Sequence, residues 1–207
     1  MINVKDATAE DLYNEFFSLA HDEKLFDVVE DKNQFLQYLF STNLNNSEGF
    51  FYAPASTKYH GNYPGGLYDH SRSVYLRLKD LTEKNNLKWQ RQQSPFIVSM
   101  FHDLCKCDQY QKADGNPVKL SGNQEIVLAG FHYEYNQNTL LKGHGSKSVM
   151  ILSQFINLTE EEMLCIRYHM GAYEKEEWQE FDAAVRKYEN VLWTHHADQL
   201  ASKVDDV

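Results

Sequence analysis

Several features that mark whole classes of protein are scarce in this sequence. Its 207 residues include only four prolines and three cysteines, and its apolar runs, such as Phe96–Val98 and Ile126–Gly130, are short. A membrane-spanning helix needs about 20 apolar residues, and an odd number of cysteines does not build a disulfide framework. The first residues also lack the apolar stretch of a signal peptide. We therefore expect a cytoplasmic protein in a reducing environment, without membrane contact.

Positive charge is also scarce. Lys and Arg number 20 against 30 Asp and Glu, which gives a net charge of −10 with His neutral. A large nucleic-acid-binding surface needs basic side chains, so this balance disfavours one. The negative net charge stays compatible with a short nucleic-acid strand that binds in a metal-containing cleft, because bound cations dominate the electric field there. The apolar fraction of 42% is that of an ordinary globular protein.

Helical periodicity dominates the sequence, and Thr8 and Thr159 begin capping-box patterns. The pattern predicts helices over about 8–20, 33–40, 66–84, 95–106, 145–156, 160–170 and 178–204. Polar and glycine-rich residues predict loops over 43–65 and 107–123, the second with a strong turn at Asp114–Pro117.

Residues 124–136 differ from the rest of the chain. They contain β-branched and aromatic side chains that partly alternate with polar ones, which predicts a short hairpin. The predicted fold class is therefore all-α with a small β-hairpin insertion. We predict a helical extension over 1–45, packed on a single domain over 46–207.

The nine histidines carry the strongest chemical signal. His102 and Asp103 end an apolar helical run, which places two groups that are costly to bury beside the core. A His-Asp pair is weak evidence when it stands alone. The order of the other candidates along the chain strengthens it, because further His and Asp residues lie on both sides: His70, His144, His169 and Asp198.

This ordered set resembles the HD-domain superfamily of metal-dependent phosphohydrolases over roughly residues 60–200. Residues 59–71, around His70, are similar to the corresponding segment in the HD domains of bacterial 3′–5′ exoribonucleases. His102–Lys106 is similar to the motif H-D-x-x-K, and Ala197–Ala201 is similar to A-D-x-L-A. Cys105 departs from the pattern, because a small residue such as Gly is frequent at that position. The resemblance implies the HD helical fold.

The resemblance also implies a dinuclear metal site. One ion would be held by four residues, His70, His102, Asp103 and Asp198. Asp103 would bridge to a second ion held by His144 and His169. Imidazole and carboxylate together suit Mn²⁺, Fe²⁺, Co²⁺, Ni²⁺ or Zn²⁺. Two such ions and two aspartates leave a charge of about +2, which suits a phosphate ester.

Two further side chains are candidates for catalysis. Lys106 lies one helical turn after Asp103, and the resemblance implies that it contacts a phosphoryl oxygen. His60 lies in a Gly/Pro-containing loop ten residues before His70. In the families that this segment resembles, a histidine recurs there, which favours a role in substrate contact or proton donation. A loop histidine at the rim of the cleft is an equally good interpretation of His60.

For other polar residues near the motifs, the sequence gives weaker evidence of a functional role. Three side chains are candidates for orienting the metal-binding histidines: Asp69, Glu134 and Gln199. Lys147 near a helix start could bind an anion. Arg72 and Arg167 are weaker candidates for substrate contact, because by helical spacing neither strictly shares a face with the neighbouring histidine. Cys105 and Cys107 are expected to be buried apolar residues, because no second cysteine pair exists. His195 shares a helix face with Asp198 and is either an orienting residue or a packed one.

The expected activity is hydrolysis of a phosphate ester by a metal-activated hydroxide. The favoured substrate is a nucleotide or another small phosphorylated compound, because the chain is acidic. Three alternatives stay open: a 3′–5′ exonuclease or phosphodiesterase acting on short RNA or single-stranded DNA, a di-iron oxygenase of the myo-inositol oxygenase type, and a non-catalytic ligand-binding module.

Overall fold

The computed structural model describes residues 2–41, 49–119, 125–141, 143–172 and 177–207. This part of the chain is mostly helical, with a small two-stranded antiparallel sheet. The helices are α1 (Ala9–Asp22), α2 (Lys32–Phe40), α3 (Gly66–Asn85), α4 (Ser94–Phe101), α5 (Lys106–Gln109), α6 (Gly145–Leu152), α7 (Glu160–Arg167), α8 (Trp178–Lys187) and α9 (Asn190–Leu200). The strands are β1 (Tyr110–Lys119) and β2 (Glu125–Tyr135). None of the described helices is both long and apolar enough to cross a membrane.

Both predicted capping boxes form. At the start of α1, Thr8 Oγ1 accepts a hydrogen bond of 3.2 Å from the amide of Asp11, and Asp11 Oδ2 accepts one of 2.9 Å from the amide of Thr8. Thr159 and Glu162 make the same pair of bonds at the start of α7. These bonds satisfy amides that have no partner within the helix, so the start of each helix is defined locally.

The helix predicted over 95–106 is interrupted. Helix α4 ends at Phe101, and residues 102–105 form tight turns before α5 begins. The amide of Lys106 donates to the carbonyl of Asp103, three residues back, at 2.9 Å. The amide of Cys105 donates to Ser148 Oγ at 3.0 Å instead of to a helical carbonyl. This contact with α6 replaces a bond of the helix, and the His-Asp pair lies at the break.

The helix predicted over 178–204 is also divided. Tyr188 has an extended conformation and ends α8, and α9 begins at Asn190. Beyond α9, Ala201–Asp205 form a π-helical turn. Asp198 therefore lies on α9, which is separate from α8, and close to an irregular turn of the type that is frequent at functional sites.

The sheet corrects the prediction for residues 107–123. Residues 110–119 form a strand and not a loop, and they pair with β2, so that the predicted hairpin segment supplies only the second strand. The expected turn at Asp114–Pro117 is a bulge, with Gly115 at a φ of +78°. Pro117 is tolerated inside a strand because each strand of a two-stranded sheet has an open edge. Residues 120–124 lie outside the described part of the chain.

Aromatic side chains form much of the core and join the N-terminal helices to the others. The ring centroid of Phe16 on α1 lies 6.2 Å from those of Phe96 and Phe101. Phe35 on α2 lies 5.4 Å from Phe101, and all four rings are fully buried. Burying a Phe side chain contributes about 1.5–3 kcal/mol. The predicted boundary between 1–45 and 46–207 falls outside the described residues.

Candidate metal centre

The structure brings six residues of the predicted ligand set into one place. They come from five separate parts of the chain: His70 from α3, His102 and Asp103 from the turn after α4, His144 from the residue before α6, His169 from the turn after α7, and Asp198 from α9. All are buried except His144, whose side chain is 31% exposed. Such a concentration of buried polar groups is costly unless they bind one another or a ligand.

The first group of contacts lies around His70. Its Nε2 lies 3.0 Å from Oδ1 of Asp198 and 3.2 Å from Nε2 of His102. Nε2 of His102 in turn lies 3.3 Å from Oδ2 of Asp103. These four side chains therefore direct two imidazole nitrogens and two carboxylate oxygens to a common region. Three of them, His70, His102 and Asp103, form a buried cluster that could hold a metal ion.

The second group of contacts uses the other oxygen of Asp103. Oδ1 lies 2.8 Å from Nε2 of His144 and 3.4 Å from Nε2 of His169. The two oxygens of one carboxylate thus face two separate pairs of histidines. Asp103 and His144, with Cys105, form a second cluster that could hold a metal ion.

The opposite ring nitrogens determine which form of each histidine is present. Nδ1 of His102 donates to the carbonyl of Ser99 at 2.7 Å, and Nδ1 of His169 donates to that of Ile166 at 2.7 Å. Nδ1 of His70 donates to the main-chain oxygen of Val207 at 3.0 Å. Because a carbonyl only accepts, Nδ1 carries a proton in each ring, and in the neutral ring the lone pair of Nε2 points towards the carboxylates. Second partners of this kind orient metal-binding histidines.

Two of the three suggested side-chain partners of the histidines are engaged elsewhere. Asp69 pairs with Arg72 at 2.7 Å, and Glu134 accepts a hydrogen bond from Gln111 on the hairpin. Backbone oxygens accept the hydrogen bonds of the histidine rings in their place. A sequence pattern does not show where such backbone groups lie. Gln199 lines the cleft described below.

Unpartnered atoms test whether the site fits a cation. Three buried atoms of this cluster have no hydrogen-bond partner within the described residues: Oδ1 of Asp103, Nε2 of His144 and Nε2 of His169. They face one another, and no hydrogen bond joins them. An unsatisfied buried polar group costs about 1–3 kcal/mol. A divalent cation between them would remove this cost, so the residues fit a metal ion.

The charge states also suit nitrogen and oxygen ligation. Burial lowers the pKa of His102, which keeps the ring neutral. Burial would raise the pKa of Asp103, but Lys106 and His102 hold it well below its usual value. Burial raises the pKa of Cys105 to about 12, so the thiol stays protonated. Its Sγ lies 3.6 Å from Nδ1 of His144, on the side of the ring away from Asp103. The expected apolar character of Cys105 agrees with its full burial.

Lys106 and His60 both line the cleft above the cluster. Lys106 is buried, and its Nζ lies 2.6 Å from Oδ2 of Asp103. The ring of His60 lies 5.3 Å from that of His70, centroid to centroid. Burial and the neighbouring His70 lower the pKa of His60 to about 4, which makes the ring neutral near pH 7.

The cleft has a volume of about 590 Å³ and is walled partly by aromatic side chains. These are Tyr59, Tyr110 and Tyr135, of which Tyr59 is 80% exposed. Arg167 and Lys203 contribute positive charge to the lining. Sequence reasoning missed Tyr110 because it fell in a predicted loop, and no pattern singled out Lys203. Only the pairing of β1 with β2 brings Tyr110 opposite Tyr135.

Three of the weaker candidates lie in structural contacts. Lys147 is buried and pairs with Asp108, so it is not available as an anion-binding residue. Arg72 pairs with Glu15 at 2.8 Å. His195 donates from Nδ1 to the carbonyl of His169 at 2.7 Å and thereby supports the turn that carries a candidate ligand.

Comparisons with known proteins returned no match, neither to a protein-family model, nor to a curated protein, nor to a solved structure.

Proposed function

We propose that this chain has the HD-domain fold and is a metal-dependent phosphohydrolase with a dinuclear centre. One observation carries the proposal: Oδ2 of Asp103 faces His102, and Oδ1 faces His144 and His169. A single carboxylate placed in this way suits a bridge between two cations. The ordered ligand pattern along the chain gives independent support.

Six residues would hold the two ions. His70, His102 and Asp198 would bind one ion, His144 and His169 would bind the other, and Asp103 would contact both. When bound, two divalent ions supply an activated water molecule and neutralise charge on a phosphoryl group. The set offers nitrogen and oxygen ligands, which suits Mn²⁺, Fe²⁺, Co²⁺, Ni²⁺ and Zn²⁺ alike.

The remaining polar side chains act on the substrate. Lys106 is positively charged at the floor of the cleft, because Asp103 raises its pKa against the effect of burial. Its Nζ is placed to contact a phosphoryl oxygen and to stabilise the charge that develops there. The neutral imidazole of His60 is a hydrogen-bond partner for the ester group at the edge of the same cleft.

The lining of the cleft supports the proposed substrate class. Aromatic rings in the lining suit stacking of a planar ring, and Arg167 and Lys203 suit phosphate charge. A volume of about 590 Å³ is in the range of small-ligand sites. A nucleotide combines these two chemistries, and its hydrolysis by water yields phosphate, or a phosphomonoester from a diester, and an alcohol.

The proposal is tested with protein loaded with Mn²⁺. A panel of nucleotides and small phosphate esters is assayed for released phosphate and, by chromatography, for cleaved diesters. The matched variant is Asp103→Asn, which keeps the shape of the side chain and loses its charge. Metal-dependent turnover that the variant lacks is the expected result. Absence of turnover across the panel with two bound ions would contradict the proposal.

An exonuclease acting on short RNA or single-stranded DNA is the second candidate. The strong exposure of Tyr59 at the cleft favours it, because unpaired bases stack on exposed aromatic rings. A labelled oligonucleotide incubated with the Mn²⁺ protein gives a ladder of products if this candidate is correct. An iron-loaded sample that consumes oxygen with a polyol would indicate the oxygenase alternative, and tight ligand binding without turnover would indicate the binding module.

A further inference from the structure

Both ring nitrogens of His70 contact the C-terminal segment 198–207. Nε2 lies 3.0 Å from Oδ1 of Asp198, and Nδ1 donates to the main-chain oxygen of Val207 at 3.0 Å. The second contact keeps the lone pair on Nε2, where it faces the candidate metal site. One segment of chain thus provides a ligand and also orients the ligand beside it.

This acceptor differs from those of the other histidines. His102 and His169 donate to carbonyls three residues earlier, which are in place as soon as the local turn has formed. His70 donates to a residue 137 positions away. Its orientation therefore depends on a tertiary contact that has to be held by other side chains.

The path of the chain towards His70 is irregular. After α9 the residues Ala201–Asp205 form a π-helical turn, and Asp206 has a φ of +58°. This left-handed residue precedes Val207, whose amide bonds back to the carbonyl of Ala201 at 3.4 Å. Conformations of this kind persist where surrounding contacts fix them.

Asp205 supplies the contact that fixes this turn. Its Oδ2 accepts hydrogen bonds from Ser73 Oγ at 2.7 Å and from Arg77 Nε at 2.9 Å, and its Oδ1 pairs with the other arm of Arg77. His70, Ser73 and Arg77 follow one another at intervals of three and four residues, so they lie on one face of α3. The same face of α3 therefore carries His70 and binds, through Ser73 and Arg77, the segment 198–207 that orients it.

We propose that Asp205, held by Arg77 and Ser73, is a positioning residue for His70. It acts by keeping the main-chain oxygen of Val207 on Nδ1, which fixes the proton there and leaves Nε2 free for the ion that His70 shares with Asp198. The inference rests on the proposed metal centre. The contacts of Asp205 with Arg77 and Ser73, here called the clamp, would affect binding of one ion only. His144 and His169 have partners outside the segment 198–207.

The test compares Asp205→Asn with wild-type protein by calorimetric titration of chelator-treated protein with Mn²⁺. We expect binding at one of two sites to weaken by about 10-fold or more, and the other site to stay unchanged. The matched control is Asp80→Asn, which removes an exposed ion pair with Lys84 on the same helix and should leave both affinities at the wild-type value.

A second readout does not depend on the metal. In metal-free protein with ¹⁵N-labelled histidine, we expect the Nδ1-protonated form of His70 in the wild type and a mixture of both forms in Asp205→Asn. The exchanged pair Arg77→Asp with Asp205→Arg should restore the wild-type form. If Asp205→Asn does not fold, Ser73→Ala removes one bond of the clamp and should shift His70 in the same direction.

Two results overturn the proposal. One is wild-type Mn²⁺ affinity at both sites in a folded Asp205→Asn variant, and the other is an unchanged His70 spectrum in that variant. A wild-type protein that binds no Mn²⁺ contradicts the proposed function instead, and in that case the spectrum of His70 alone decides whether the clamp exists.

Discussion

Nε2 of His144 lies 2.8 Å from Oδ1 of Asp103, yet neither atom has a hydrogen-bond partner within the described residues. A cation bound between them would give both atoms the partner that they lack. The contact is separate from the one between Asp103 and His102, which uses the other oxygen. The proposed second ion would bind at this contact.

We predict that His144→Ala binds about one divalent ion per chain where the wild type binds two. The remaining ion would be the one at His70, because the substitution retains all four of its proposed ligands. Elemental analysis of tag-free protein that has not been exposed to a chelator measures the number of metal ions per chain directly. His132→Ala is the matched control, because His132 lies on the hairpin and donates to the carbonyl of Gly115. Equal metal content in His144→Ala and the wild type would contradict a second metal site at His144.

Substitution of Lys106 should impair turnover without loss of metal. Because the ammonium group lies at the floor of the cleft, Lys106→Met removes a charge that stabilises the transition state, and kcat should fall about 100-fold or more. Metal content should equal that of the wild type. Lys84→Met alters an exposed lysine on α3 and controls for the change of net charge. A wild-type kcat in Lys106→Met would exclude the residue from catalysis.

His60 makes stability depend on pH. Its pKa is lowered from 6.5 to about 4 in the folded protein, so the unfolded chain binds more protons between these values. The free energy of unfolding contributed by His60 is therefore complete above about pH 6.5 and is lost progressively as the pH falls towards 4. Denaturant titrations of metal-free wild type and His60→Gln between pH 4 and 8 measure this contribution. Parallel profiles for the two proteins would contradict it.

The carboxylate of Glu162 should be important for stability away from the metal centre. It is fully buried, accepts two hydrogen bonds from Arg91 at 2.6 and 2.7 Å, and also bonds Ser94 Oγ at 2.8 Å. Glu162→Gln leaves Arg91 without its counter-charge and should lower the free energy of unfolding by about 3 kcal/mol. Glu160→Gln breaks an exposed pair with Lys187 and should have little effect. Similar midpoints of urea unfolding in both variants would contradict the prediction.

The sequence by itself determined the local features of the fold. The two capping boxes are complete within four residues each, so Thr8 and Thr159 mark helix starts without help from the rest of the chain. The mostly helical class with a small antiparallel sheet also follows from periodicity. The order of His and Asp residues identified the side chains that the structure brings together, because that order is a property of the chain and not of its packing.

Only the tertiary structure decided how these side chains are oriented. The break after Phe101 depends on a hydrogen bond to Ser148, which lies 43 residues from Cys105. The strand at 110–119 forms because β2 supplies a partner that a turn-rich sequence does not reveal. The partner of Nδ1 of His70 comes from residue 207. In each case the deciding group is backbone or a distant side chain, and a local pattern contains no information about which distant group arrives there.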